Sequence, residues 1–521
     1  MSFEASPPAR PSRPAPSVAS APELHGPLLV AAGLILAIAN FLVVLDTTIA
    51  NVSVANIAGA LAVSPSQGTW VITSYSVAEA ITVPLTGWLA GRFGSVKMFV
   101  LSMLGFGLFS FLCGTATSLP VLVLFRVLQG LCGGPLIPLS QTLLLRVFPP
   151  KLAPAATGIW AMTTLIAPIL GPIMGGYLCD NIGWSFIFWI NVPIALLCGW
   201  AAWTLLGRFD MTTARQRVDV VGLGLLIVWV GALQVLLDLG KDADWFSSPL
   251  IVTLAIVAAI GFVCFLIWEL TDQHPVVDLR VFRHRGYTAS VLTLCVGFGS
   301  FFAANVLLPL WLQQYMGYTA SWAGYVSALL GITAVICAPF VANMSGKVDA
   351  RLLVSLGLFW MAVITFFRAQ ADTDLNYFGI GHWLLLQGFG MPLFFVPLTT
   401  LALASVQPAE TASAAGLMSF CRTLSGAFAT SIVQTVWENG STHFRADLVG
   451  NVSPDALTSL NTAGLNASTT LGTLDRLVQS QSVMLSTNAV FLGVALLFAL
   501  SAAIVWLVPK PMRKVDASQA H

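Results

Sequence analysis

The stretch Ala167-Pro168-Ile169-Leu170-Gly171-Pro172-Ile173-Met174-Gly175-Gly176-Tyr177-Leu178 sets two prolines and three glycines inside a long apolar segment. In water such a run breaks a helix, because proline lacks an N–H and its ring clashes with the preceding turn. In a bilayer it stays helical, because neighbouring helices and local adjustments satisfy the freed backbone groups. The stretch therefore points to an all-α membrane protein. Ala167, Gly171 and Gly175 fall four residues apart and make one smooth face. Another helix can approach such a face backbone to backbone, as a fixed packing groove or as a moving contact.

Composition agrees. Of 521 residues, 57% are hydrophobic and only 9% charged, against about 25% charged in soluble domains. A net charge of +1 gives no footing to a nucleic-acid partner. The 16 Trp and 32 Phe suit interface anchors and apolar cavity walls. The eight Cys lie in or beside apolar segments without a C-x-x-C pair, as small buried hydrophobes do. The scattered His have no metal spacing, no phosphate-loop motif is present, and no G-x-S-x-G elbow with plausible partners occurs. These absences give no footing to direct drive by ATP, to a metal or to another cofactor, and they set an enzyme last among the possibilities. Any transport is therefore expected to be driven by the proton gradient through the intramembrane carboxylates below.

Residues 1–26, rich in Pro, Ser and Ala, are expected to be a disordered tail, with the first apolar run acting as an uncleaved anchor. At about 20 residues per span, fourteen spans are expected. They lie near 28–52, 67–90, 98–116, 120–142, 156–178, 186–206, 219–238, 249–269, 287–312, 322–344, 352–369, 377–400, 409–437 and 487–508. With a cytoplasmic N-terminus, seventeen of the 23 Lys and Arg fall inside. Only Lys241, Arg368, Arg445 and Arg476 fall outside, and Arg126 and Arg422 within spans. Positive-inside orientation predicts that asymmetry and puts both termini in the cytoplasm.

Gln129-Gly130 recurs as Gln387-Gly388, and the Pro150/Gly158 pair recurs as Pro408/Gly416, both 258 residues on. Two six-helix halves, 27–206 and 287–508, are therefore expected around a 207–286 insertion of two helices, with a second tail at 509–521. Two parallel halves facing a cavity suit a rocking secondary transporter. Residues 438–486 form a polar outer loop. Its broken amphipathic pattern predicts short helices over the mouth of the protein or against a partner, unless it is a floppy connection.

Charges inside spans cost about 2.5–3.5 kcal/mol each at a helix centre, so Asp46, Glu79, Arg126 and Arg422 are the candidate functional residues. A buried carboxylate at Glu79 or Asp46 can take up and release a proton. A guanidinium at Arg126 beside such an acid favours release. The structural alternatives are an Asp46 that ties spans 1 and 4, a Glu79 kept protonated or paired with Arg126, and a fixed salt bridge. Gln129 and Arg422 are possible cavity residues, the latter an anion site or a partner for Asp46 or Glu79. The second half has Leu384 where the first has Arg126, which concentrates coupling in the first half.

Five stretches resemble the fourteen-span drug:proton antiporter (DHA2) group of the major facilitator superfamily. Gly171, Pro172, Gly175 and Gly176 resemble its antiporter motif, departing at Ala167 where glycine is usual. Leu45-Asp46-Thr47-Thr48-Ile49-Ala50-Asn51-Val52 resembles its first-span signature. Leu122-x-x-x-Arg126-x-x-Gln129-Gly130-x-x-Gly133-Gly134 resembles its span-4 motif, and the Trp184–Pro193 run resembles its span-6 entry. Gly87, Arg92 and Gly94 keep the cytoplasmic loop motif, but Gly91 stands where an Asp is usual, which weakens closure through the usual charge network. The resemblance implies the major facilitator fold and export of hydrophobic small molecules from a bacterial inner membrane, with proton coupling at Asp46, Glu79 and Arg126. It further implies a periplasmic adaptor and an outer-membrane channel as partners. The competing readings are a narrow exporter of one metabolite, such as a siderophore or fatty acid, and a transport-dead receptor.

Overall fold

The computed structural model describes residues 24, 26–149, 152–210, 219–273, 275–318, 320–345, 347–372, 377–407, 410–450 and 467–509. Both tails and the centre of the outer loop lie outside the described residues. Among those described there are helices and no strands. In chain order they are α1 (Pro27–Ala60), α2 (Pro65–Gly68), α3 (Trp70–Thr82), α4 (Thr86–Phe93), α5 (Ser95–Gly114), α6 (Leu119–Gly133), α7 (Leu136–Val147), α8 (Ala153–Asn181), α9 (Phe186–Trp189) and α10 (Asn191–Leu206). Two inserted helices follow, α11 (Val220–Leu239) and α12 (Pro249–Thr271). The second half holds α13 (Arg285–Gln314), α14 (Ala320–Ser345), α15 (Ala350–Arg368), α16 (Tyr377–Gly388), α17 (Gly390–Ala404), α18 (Thr411–Gly450) and α19 (Ala467–Ile504).

Eleven helices among the described residues are long and apolar enough to cross a membrane, and twelve if the bent α8 is one span. The expected spans that fail this test are the second, broken between α3 and α4 at Pro84, and the thirteenth, α18, with its polar outer part. Helix α8 bends by 45° between Ala156–Pro168 and Ile173–Cys179, at the proline-glycine stretch.

The sequence repeat has a packing cause. A Cβ on Gly130 would lie 2.5 Å from the Tyr75 carbonyl oxygen, and one on Gly388 would lie 2.3 Å from that of Leu330. Each glycine thus lets the fourth helix of its half touch the second, α6 on α3 and α16 on α14. Gly171 plays the same part between α8 and α1, because a Cβ there would lie 2.2 Å from the Thr48 hydroxyl. Gly171 is thus in close contact with α1 in this arrangement of the helices. Around Gly176 nothing lies within 4 Å of such a Cβ.

The halves meet along α8 and α14 and where α18 crosses α4 and α7. A Cβ on Gly87 would lie 2.8 Å from Ser413 Cα, so α4 and α18 are closed against each other. A pocket between the halves, lined by Gly158, Met162, Ala338, Met391 and Phe395, encloses about 10 Å³, room for one water at most. The inserted pair packs outside α3. Its outer turn is clasped to α18 by Ser431 Oγ donating to the Leu237 carbonyl (2.8 Å), Trp245 Nε1 to Thr435 Oγ1 (2.9 Å) and a Lys241–Glu438 ion pair (2.7 Å).

The outer loop departs from expectation. Helices α18 and α19 run unbroken to Gly450 and from Ala467. At 1.5 Å per residue a 40-residue α18 is about 60 Å long, roughly twice the hydrocarbon core. The two extensions pair as a hairpin through Trp437 Nε1 to Thr487 Oγ1 (2.9 Å), Ser486 Oγ to the Trp437 carbonyl (2.6 Å) and Arg445 to Asp475 (2.5 Å). Isolated short helices could not bury their apolar sides, whereas continuation of two already paired spans lets them bury against each other.

Candidate functional site

Four spans of the first half converge on Asp46, which is 2% exposed. Its Oδ2 accepts from Arg126 Nη1 at 2.6 Å, and its Oδ1 accepts from Asn191 Nδ2 at 2.6 Å and Gln129 Nε2 at 3.1 Å. Arg126 and Gln129 come from α6, one helical turn apart. That spacing lets Arg126 Nη1 also donate to Gln129 Oε1 at 2.8 Å. Arg126 Nε donates to the Val71 carbonyl at 2.9 Å, and its guanidinium lies 4.2 Å from the Tyr75 ring centroid. Ser110 of α5 closes the network, accepting from Gln129 and Asn191 at 3.1 Å each and donating to the Phe188 carbonyl at 2.9 Å. Arg126 Nη2 and Asn191 Oδ1 have no hydrogen-bond partner among the described residues, but the direct Asp46–Arg126 pairing is what makes two buried charges tolerable.

The structure therefore joins Asp46, Arg126 and Gln129, and leaves Glu79 and Arg422 apart from them. Arg126 is paired with Asp46, not with Glu79. Asp46 links spans 1, 4 and 6, a wider tie than the two-helix link the sequence allowed. Glu79, 8% exposed, has no side-chain hydrogen bond to its carboxylate among the described residues. The largest charge acting on it is Arg422, from the other half. Arg422 lies over the Phe298 and Phe395 rings, at 5.5 and 6.0 Å from their centroids. Glu79 and Arg422 thus put opposite charges on either side of the division between the halves.

Sequence reasoning missed Asn191 and Ser110. Asn191 sits in the Trp184–Pro193 run that resembles the span-6 entry, and it is completely buried. A lone amide in an apolar run was the available signal. Sequence reasoning also counted Arg368 among the outer charges without seeing that this side chain, at the end of α15, is only 5% exposed. Arg368 Nη1 donates to Gln387 Oε1 at 2.5 Å, and the guanidinium lies 4.4 Å from the Phe491 ring centroid. Its Nη2 has no partner.

At the cytoplasmic loop motif, Gly94 has φ +91°, a conformation that favours glycine. The carboxylate missing at Gly91 is supplied from beyond the sixth span. Asp210 Oδ1 accepts from the Val96 N–H at 3.1 Å, and Lys97 Nζ lies 3.9 Å from Oδ2. A Cβ at Gly94 would lie 2.4 Å from Asp210 Oδ1, so this glycine also makes room for the replacement acid. Among the described residues no group of three or more His, Cys, Asp or Glu could hold a metal.

The Major Facilitator Superfamily profile matches residues 36–430. The multidrug export protein EmrB of Escherichia coli strain K12 is 44% identical over 497 residues, which cover 94% of this chain and 97% of that protein. The fatty acid resistance protein FarB of Neisseria gonorrhoeae is 41% identical, with 94% and 98% covered. Among solved structures, the proton:xylose symporter XylE aligns with a TM-score of 0.58 at 13% identity over 93% of this chain and 96% of that one, a likeness of fold alone.

Proposed function

The chain belongs to the major facilitator superfamily, and from that premise we propose that it is a proton-coupled exporter of hydrophobic drugs in a bacterial inner membrane. Its multi-pass apolar helices and the EmrB relatives support the reading. The fourteen-span count belongs to the same proposal: α3 with α4, and α18, are the spans that line the division between the halves. They carry Glu79 and Arg422, which lowers their hydropathy.

The observation that carries coupling is the contrast between the two acids. Asp46 is held by a guanidinium and two amides, so neutralising it would weaken three hydrogen bonds and leave the buried Arg126 charge without its counter-ion. Glu79 is buried without such partners and faces Arg422 across the halves. Glu79 is therefore the carrier that takes a proton when open to the outside, where the gradient is acid, and gives it up inside. When Glu79 is charged, its attraction to Arg422 draws the halves together; when it is neutral, they separate more readily. Asp46 and Arg126 hold spans 1, 2, 4 and 6 as one body during that rocking. The drug moves out in the part of the cycle that resets Glu79, so export needs no nucleotide.

Ethidium and uncoupler efflux from an exporter-deficient bacterium tests this, with the proton gradient intact and then collapsed. Gradient-dependent efflux that Glu79→Gln lowers at least tenfold at unchanged protein level is the expected result. Full gradient-dependent export by both Glu79→Gln and Asp46→Asn would overturn the coupling assignment.

The paired α18 and α19 extensions support a periplasmic adaptor and outer-membrane channel as partners, because residues 438–450 carry α18 about 20 Å past the expected end of its span. A narrower exporter of fatty acids is the second reading, favoured by the likeness to FarB. Fatty-acid resistance without ethidium efflux would select it.

A further inference from the structure

We propose that Asp219 and Glu269 hold one proton between them where the inserted helices enter the membrane, a proton-binding site separate from Asp46 and Glu79. Asp219 caps α11. Its Oδ1 accepts from the Gly222 N–H at 2.9 Å and its Oδ2 from Trp268 Nε1 at 2.8 Å. Glu269, next to Trp268 on α12, is wholly buried. Its Oε2 accepts from the Val277 N–H at 3.2 Å, while Oε1 has no donor.

The two carboxylates converge. A Cβ on Gly222 would lie 2.2 Å from Asp219 Oδ2 and 2.7 Å from Glu269 Oε1, so glycine leaves the space into which both oxygens point. Among the described residues, the charged groups acting on Glu269 are Asp219 from α11 and Asp272 and Asp278 from the following linker, all negative. Arg280, on the turn Leu279–Arg283, donates to the Asp272 carbonyl at 3.0 Å. Two ionised carboxylates in one buried site repel, and a shared proton removes the repulsion. Asp219, with two N–H donors, is equipped to be the anion. Glu269, with an unpartnered Oε1, is equipped to be the acid, its O–H donating to Asp219 Oδ2. No third ligand completes a metal set among the described residues.

The proton has mechanical reach. It joins the end of α12 to the start of α11, and Val277 joins both to the linker. That linker ends at Arg283 and His284, which hold Glu410 beside the start of α18 at 2.5 and 2.9 Å. Loss of the proton to an alkaline cytoplasm sets two carboxylates against each other and loosens this brace.

Infrared difference spectra of the full-length protein, titrated across neutral pH, test the site without any transport readout. A carboxylic-acid carbonyl band from Glu269, distinct from any that Glu79 gives, is expected in the wild type, in Glu79→Gln and in Asp46→Asn, and is lost in Glu269→Gln. The glutamine amide can donate to Asp219 in place of the proton, so that variant keeps its fold. In Asp219→Asn the Glu269 band titrates at lower pH, because its main negative neighbour is gone. A wild-type band set that Glu269→Gln leaves unchanged, or a midpoint that Asp219→Asn does not move, overturns the proposal.

Discussion

In the first half, Arg126 lies among a carboxylate, two amides, a hydroxyl and a tyrosine ring; in the second half, Arg368 lies with one amide and a phenyl ring. The two places correspond through the repeat. Gln129 and Gln387 are 258 residues apart, and so are Ser110 and Arg368. Where Gln129 donates to Ser110 of the third span, Gln387 accepts from Arg368 of the eleventh. The glutamine and the glycine beside it serve the same join in both halves, but the charge sits on the opposite helix. Duplication kept the packing and let the electrostatics diverge, because a glycine contact between backbones tolerates no side chain, whereas a polar cluster can be satisfied in several ways.

The contrast makes predictions in descending size. Arg126→Leu leaves Asp46 buried and unpaired, a loss of about 3–5 kcal/mol, read as a fall in thermal unfolding temperature in detergent. The double variant Asp46→Asn/Arg126→Leu recovers part of it; a single variant as stable as the wild type would break the comparison. Gln387→Leu removes the hydrogen bond to Arg368 and costs about 1–3 kcal/mol. Arg368→Leu/Gln387→Leu regains most of that, because Arg368 has no carboxylate partner among the described residues. Arg368→Leu alone shifts stability by less than about 1.5 kcal/mol, since it frees only one neutral acceptor. If it matched Arg126→Leu in effect, the halves would be electrostatically alike after all.

The smallest effect is at the inner rim. Burial pushes the Glu410 carboxyl up, but hydrogen bonds from His284 and the Gln407 N–H, with the Arg283 charge, outweigh it and hold it below its ordinary value. A carboxylate lowered in the fold adds stability above its unfolded value and loses it as pH falls through the folded one. Arg283→Ala is therefore expected to cost less than about 1 kcal/mol at neutral pH and nothing in strong acid, measured as melting temperature against pH.

The split between legible and hidden runs through single residues. Asp46, Arg126 and Gln129 stood out because charge and amide are expensive in an apolar run. Their pairing was not legible, since Asp46 and Arg126 are 80 residues apart and Glu79 was an equally good partner in one dimension. Asp210 was invisible for the same reason: a turn at Gly94 and the end of the sixth span meet only in three dimensions.

By itself the sequence determined a helical membrane protein of two repeated halves, its superfamily and its costly intramembrane charges. The superfamily came from the resemblance of its motifs; the rest follows from composition, period and spacing, which the bilayer reads along one helix at a time. Tertiary structure alone decided that Arg126 answers Asp46, that Arg368 is buried and that the described ends of the outer loop pair as extensions of α18 and α19. Each depends on which helix faces are brought within about 3–6 Å, the range over which hydrogen bonds and close ion pairs act, and only packing of the whole chain sets those distances.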